Sequence, residues 1–167
     1  MMEPKGRLSE RDIAAVIEIA AHEGASATYR AVEALARRTI GHILFTVNRH
    51  LPATAEVERL YSSDSAAYPV GGRKQKRDTP WGRVVLDQGE VFIARDGEQV
   101  RAAFSDHELI TSLGIAAIMN VPIRFGGRTL GAMNLCGEAG RYTEADIPAA
   151  KLMAGLLVAA VMADTLR

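Results

Sequence analysis

Apolar positions recur at helical spacing twice near the start of the chain. Ile13, Val16, Ile17 and Ala20 share a face over residues 9–22, and Val32, Leu35, Ala36 and Ile40 share one over residues 26–40. Glu23-Gly24 separates the two, Ser26 or Thr28 is the expected cap of the second, and Gly41 its stop. The pattern then changes to alternation. Residues 42–49 carry Ile43, Phe45 and Val47 on one side, Leu51-Pro52-Ala53 turns the chain, and Ala55, Val57, Arg59 and Tyr61 are expected to share a face of a second strand. From Ser62 to Asp78 the periodicity dissolves into a long loop. Asp78-Thr79-Pro80-Trp81 predicts a short helix stopped by Gly89, and residues 90–94 a short strand. The Ser105-x-x-Glu108 spacing predicts a capping box opening a helix to Gly114. A last helix is expected from Thr143 or Pro148 to about Leu166.

Between those helices lies the most informative stretch, Ala116 to Cys136. Two mostly apolar runs flank Gly126-Gly127, a pair suited to the positive φ angles of a tight hairpin. With a two-residue turn, Phe125 faces Arg128, Pro122 faces Gly131 and Asn120 faces Met133. Both runs are apolar at nearly every position, which predicts central strands covered on both faces. Asn120 and Asn134 are the anomalies, because strands disfavour Asn and a buried amide requires partners. In that register Asn134 and Cys136 share a face with Met119 and Val121, and Asn120 points the other way. A bulge at Pro122 would swing it round.

The terminal helix reads apolar or Gly at every position from Leu152 to Ala163. A helix apolar all round must be covered all round, and a homodimer through the terminal helices is the economical cover. The run is too short to span a bilayer, no leader-like apolar segment opens the chain, and a cytoplasmic location is expected.

Composition narrows the chemistry. The 167 residues fit one domain; 48% are hydrophobic and the formal charge is zero, which argues against a nucleic-acid or membrane surface partner. A single cysteine, Cys136, excludes a disulfide framework and a multi-cysteine metal site, and no cofactor motif is present.

Trp81 to Gly89, Phe104-Ser105-Asp106, Leu113-Gly114-Ile115, and Val121-Pro122-Ile123 with Gly131 nine residues on, followed by the acidic start Glu144 and Asp146, together resemble a GAF domain. The resemblance covers Ala25 to the C-terminus, leaving residues 1–24 as an added helical extension. It implies a PAS-related α+β fold, with an antiparallel sheet, terminal helices on one face and loops and short helices over a pocket on the other. It also implies a small-molecule ligand and, for a chain with no output domain of its own, a separate output protein. Subtypes separate by residue. Where free methionine sulfoxide reductases of this family place a Glu and an Asp-x-Asp, this chain has Ile118, Asn134 and Cys136. Cys136 is followed by Gly137 rather than the His of a phytochrome-type attachment site. The Asn-Lys-x-Phe-x-Asp-Glu signature of cyclic-nucleotide GAF domains is absent.

Several residues are candidates for that pocket. Four cations fall within Arg73-Lys74-Gln75-Lys76-Arg77, just after Gly71-Gly72, so Arg73 or Lys74 is expected to meet a carboxylate or phosphate. A charge run is more commonly a solvated loop. Tyr61, Tyr68 and Trp81 flank this run as candidate walls, with ordinary core packing as the alternative. Asp106 and His107 form an acid/base pair by composition. The favoured expectation is a sensor site for a small anionic or polar metabolite, built from these residues with Asn120, Asn134 and Cys136. The alternatives are an enzyme using His107 as acid/base and Cys136 as nucleophile, and a dimeric protein-interaction module.

Overall fold

The computed structural model describes residues 2–167. Two helices lead, α1 (Glu10–Glu23) and α2 (Ala25–Thr39). Ser9 and Asp12 close a capping box at the start of α1. Gly24, at φ +84°, separates the helices, so no side chain caps α2; the Thr28 hydroxyl instead donates back to the Gly24 carbonyl at 2.7 Å.

A six-stranded antiparallel sheet follows. Its strands are β1 (Leu44–Leu51), β2 (Glu56–Ser62), β3 (Arg73–Gln75), β4 (Phe92–Ala94), β5 (Ala117–Phe125) and β6 (Arg128–Gly137), in the order β3-β2-β1-β6-β5-β4. Strand β3 lies inside the stretch expected to be loop. Its three residues are all polar and at the sheet edge, so no apolar alternation marks it. Between β3 and β4 runs a π-helical segment (Gly82–Asp87). Between β4 and β5 stand α3 (Gly97–Ala103), capped by Asp96, and α4 (His107–Ser112). The expected capping box at Ser105 does not form, and Asp106 precedes α4 without capping it. The chain ends not in one helix but in a 3₁₀ turn (Glu144–Asp146), α5 (Ile147–Leu156) and α6 (Val158–Thr165), with a 41° bend at Leu157. No single helix among the described residues is long and apolar enough to cross a membrane.

The helices α1, α2, α5 and α6 cover one face of the sheet. Phe45 and Val47 of β1, Met119, Val121 and Ile123 of β5, and Met133 and Leu135 of β6 meet Val32, Leu35, Met153, Leu157 and Val161 there. The other face belongs to a second cluster beneath Tyr68, Trp81, Val85, Val100, Phe104 and Ile110.

Two bulges assign residues to these faces. In β6, Phe125 pairs with Arg128 as expected, but the register slips after Thr129. Leu130 is the extra residue, and Ile123 then faces Gly131, Pro122 faces Ala132 and Asn120 faces Asn134. The expected pairings of Pro122 with Gly131 and Asn120 with Met133 are therefore corrected, and the bulge sits opposite the site proposed for it. In β2, Tyr61 pairs with Val47 but Arg59 pairs with Asn48, so Leu60 is extra. Arg59 and Tyr61 consequently point to opposite faces instead of sharing one.

Gly131, just after the first bulge, has its Cα against β1. A Cβ there would lie 1.9 Å from the Asn48 carbonyl oxygen. Gly131→Ala should therefore force β1 and β6 apart and destabilise the fold by about 2 kcal/mol or more, measured by urea denaturation.

Candidate functional site

The face away from the terminal helices holds three rows of residues in register. Ile118, Cys136 and Leu44 form one, Asn120, Asn134 and Thr46 the next, and Pro122, Ala132, Asn48 and Arg59 the third. In the middle row Asn120 Nδ2 donates to Asn134 Oδ1 at 2.7 Å, and Asn134 Nδ2 donates to Thr46 Oγ1 at 3.0 Å. Both amides are buried and both reach the same cavity. The β6 bulge makes this possible; without it Asn134 would sit beside Met119 on the helix face.

Over this floor the middle of the chain supplies the roof. Tyr68, Gly72, Lys74, Lys76, Trp81, Phe104 and Ile110 close a cavity of about 60 Å³ above Thr46, Asn48, Arg59, Asn120, Asn134 and Cys136. At roughly 10–15 Å³ per water-sized site, that space suits a molecule of about four to six non-hydrogen atoms.

Asp106 ties the roof together. Its carboxylate accepts the Tyr68 hydroxyl at 2.8 Å and is ion-paired with the Lys74 ammonium. Burial raises the carboxyl pKa, but the hydrogen bonds from Lys74 and Tyr68 outweigh it and hold Asp106 below its ordinary range. The capping function suggested by sequence gives way to this bridge between α4, the loop after β2, and β3.

The cavity is cationic. Arg59, Lys74 and Lys76 line it, and Asp106, bonded to two roof residues, is the carboxylate facing them. Arg59 lies 4.8 Å from the Tyr68 ring centroid and donates through Nη1 to the Pro69 carbonyl. Lys76 lies 4.5 Å from the Trp81 centroid. Burial first, then the charge of Lys74, lowers the Lys76 ammonium to about 8. Four residues of this lining each carry a buried polar atom with no hydrogen-bond partner within the protein: Arg59 Nε, Trp81 Nε1, Asn48 Oδ1 and Asn120 Oδ1. An unpaired buried polar group costs about 1–3 kcal/mol, so four clustered in residues around one small cavity call for a polar partner there, water or ligand.

Of the residues singled out from sequence, the cavity gathers Tyr68, Lys74, Trp81, Asn120, Asn134 and Cys136, with Asp106 behind Tyr68 and Lys74. Tyr61 lies on the helix face, where its hydroxyl donates to Glu33 and its ring packs on Tyr29 and Phe45. Arg73 points away and pairs with Glu56 and Glu58. His107, half-buried at the start of α4, does not line the cavity. The Cys136 thiol is pushed up to about 12 by burial, which opposes the thiolate that nucleophilic chemistry needs. Arg59, Lys76, Asn48 and Thr46 are the polar lining residues that sequence reading did not select. Equal parity of Lys74 in the edge strand and Lys76 just beyond it is the signal that would have grouped them.

The profile of the GAF domain family matches residues 10–162. The chain belongs to the GAF family. A search of curated proteins gave no match. Among solved structures, the GAF domain of a phosphoenolpyruvate-protein phosphotransferase from Coxiella burnetii superposes with TM-score 0.73 at 14% identity, covering 93% of this chain and 94% of that one. The phycocyanobilin-bound GAF domain of a cyanobacterial phytochrome gives TM-score 0.70 at 16% identity, covering 96% and 98%. The chromophore-binding domain of the bacteriophytochrome RpBphP3 from R. palustris gives TM-score 0.67 at 15% identity; the match covers 98% of this chain but 64% of that longer one. At these identities the likeness concerns the fold alone. The matched family region takes in α1 as well as the sheet.

Lys76 gives this GAF domain a pH signature. A lysine whose pKa falls from 10.5 to about 8 on folding destabilises the folded state below pH 8, and that cost disappears as pH rises toward 10.5. Lys76→Met should raise the Tm of the ligand-free protein at pH 7, with the gain shrinking between about pH 8 and pH 10, as read by differential scanning calorimetry.

Proposed function

We propose that this protein is a regulatory GAF domain whose ligand is a compact organic anion held in the cavity over β1, β5 and β6. The carrying observation is the excess of cations around buried, unpartnered donors: Arg59, Lys74 and Lys76 against Asp106 alone, with Arg59 Nε and Trp81 Nε1 free to donate. A carboxylate satisfies both needs at once, charge and hydrogen bonding. The unpartnered carbonyl oxygens of Asn120 and Asn48 suit a hydrogen-bond donor, on the ligand or on a water beside it, and Trp81, Phe104, Ile110 and Cys136 suit its small apolar body. The volume of about 60 Å³ is far below what a bilin needs.

The expected outcome in a thermal-shift panel of small organic anions is a Tm gain of about 5 °C or more for a binder at a hundred times its Kd. Arg59→Met should abolish the gain, and the uncharged amide of the same acid should give none. Equal shifts from acid and amide, or no shift from any anion, would remove this reading.

A cytoplasmic homodimer completes the proposal. Ile17, Phe125, Leu152 and Met162 are 52%, 60%, 52% and 38% exposed, and a groove between α1 and the α5–α6 bend is lined by Val16, Ile17, Phe125, Leu156, Val158 and Met162. Such a continuous apolar face suits a second copy of itself. Sedimentation velocity should give a dimer at micromolar concentration for the wild type and a monomer for Ile17→Glu.

A further inference from the structure

Lys76 differs from the other cavity cations because its charged group makes neither an ion pair nor a hydrogen bond among the described residues. Lys74 is paired with Asp106, and Arg59 is hydrogen-bonded to the Pro69 carbonyl. Lys76 Nζ has neither a carboxylate nor a hydrogen-bond acceptor among the described residues; the rings of Trp81 and Phe104 lie 4.5 and 5.6 Å from it. Its backbone is fixed. The Lys76 N–H donates to the Ala55 carbonyl at 2.9 Å, and its carbonyl accepts the Thr79 hydroxyl at 3.0 Å. Gly82 lets the π-helical segment press against that carbonyl, since a Cβ there would lie 2.2 Å from the oxygen. An amine placed beside two other cations in a partly buried cavity holds its proton loosely, and burial with Lys74 brings it to about 8. Desolvation and a neighbouring cation are the two conditions that turn a lysine into a nucleophile near neutral pH.

Two of the residues that line the same cavity, Arg59 and Trp81, each carry a buried donor, Nε and Nε1, without a protein partner. We propose that Lys76 captures the carbonyl carbon of a short 2-oxo carboxylate as a reversible imine, while Arg59 Nε and Trp81 Nε1 hold its carboxylate. The proposal rests on the anion-site reading above and names the ligand's second functional group. The neutral amine's lone pair forms the C–N bond, and the C=O π electrons move to oxygen. The oxygen leaves as water with one proton from the nitrogen and one from solvent as the C=N bond forms. Overall, lysine ammonium and carbonyl give an iminium and one water, with no oxidant or reductant. A cavity of about 60 Å³ matches an acid of the size of glyoxylate or pyruvate.

The test incubates the full chain with pyruvate, and separately glyoxylate, in the presence of sodium cyanoborohydride, followed by intact-mass analysis and peptide mapping. One reduced adduct per chain at Lys76 is expected, formed at least about tenfold faster than at Lys5, Lys74, Lys151 or the terminal amine. Lys76→Arg, which keeps the charge, should lose the adduct while retaining the wild-type Tm within a few degrees. Arg59→Met should keep Lys76 but slow its labelling about tenfold. Lactate, which has the carboxylate but no carbonyl, is the control. If lactate and pyruvate stabilise the protein equally and Lys76 gains no preferential adduct, the imine is overturned while the anion site stands. If neither compound stabilises the protein and no adduct forms, both readings fall.

Discussion

A strand offers only two directions to a side chain, and one extra residue reverses them. This protein has a sheet covered on both sides, so every such reversal moves a residue between a dry helix interface and a polar cavity. The bulge at Leu130 puts Asn134 beside Asn120 and Thr46, and the bulge at Leu60 turns Arg59 into the cavity while leaving Tyr61 against Tyr29. Without the first, Asn134 would be driven into the packed layer of Met119 and Leu135, where no amide partner exists. Without the second, Arg59 and Tyr61 would share one face, both in the cavity or both against the helices. Both faces of the domain depend on these two slips, and Gly131 makes room for the first by letting the Asn48 carbonyl approach its Cα.

The roof obeys a different constraint. The segment after β2 offers little apolar area, so it is held by charge and aromatic faces instead. Asp106 draws in Lys74 and the Tyr68 hydroxyl, Tyr68 in turn lies under Arg59, and Lys76 spans Trp81 and Phe104. Removing these cations from water is costly unless something anionic meets them, and one carboxylate already committed to two donors meets only part of that demand. The imbalance is local: the chain as a whole is neutral. Charge has been concentrated where side-chain donors, Arg59 Nε and Trp81 Nε1, are already buried.

The fold was legible because its signals are local and repetitive: helical periodicity in α1 and α2, the Gly126-Gly127 turn, and the doubly apolar strands β5 and β6. The cavity was legible in part, since polar residues in an apolar ribbon must be satisfied by something. What escaped is non-local. Strand β3 has no pattern of its own and exists because Val57 and its neighbours offer a free edge to Lys74. Tyr61 was misassigned because a bulge leaves no mark in a simple alternation. Asp106 looked like a cap because caps and carboxylate bridges use the same residue. Lys76 was hidden within a run of cations whose individual directions only the strand register decides.

The same register gives the cavity a route to the rest of the domain. The row Asn120–Asn134–Thr46 spans three neighbouring strands, and the residues beside it on the reverse face, Met119, Val121, Met133, Leu135, Phe45 and Val47, form the layer on which α2, α5 and α6 rest. Packed layers transmit displacement because they have no slack to absorb it. A guest that engages Asn120, whose carbonyl is unpartnered, acts on one end of a hydrogen-bonded chain rigidly coupled to that layer. The bend at Leu157 lies within it, between α5 and α6. The polar row of the cavity and the apolar layer beneath the two terminal helices are thus carried on alternate sides of the same three strands.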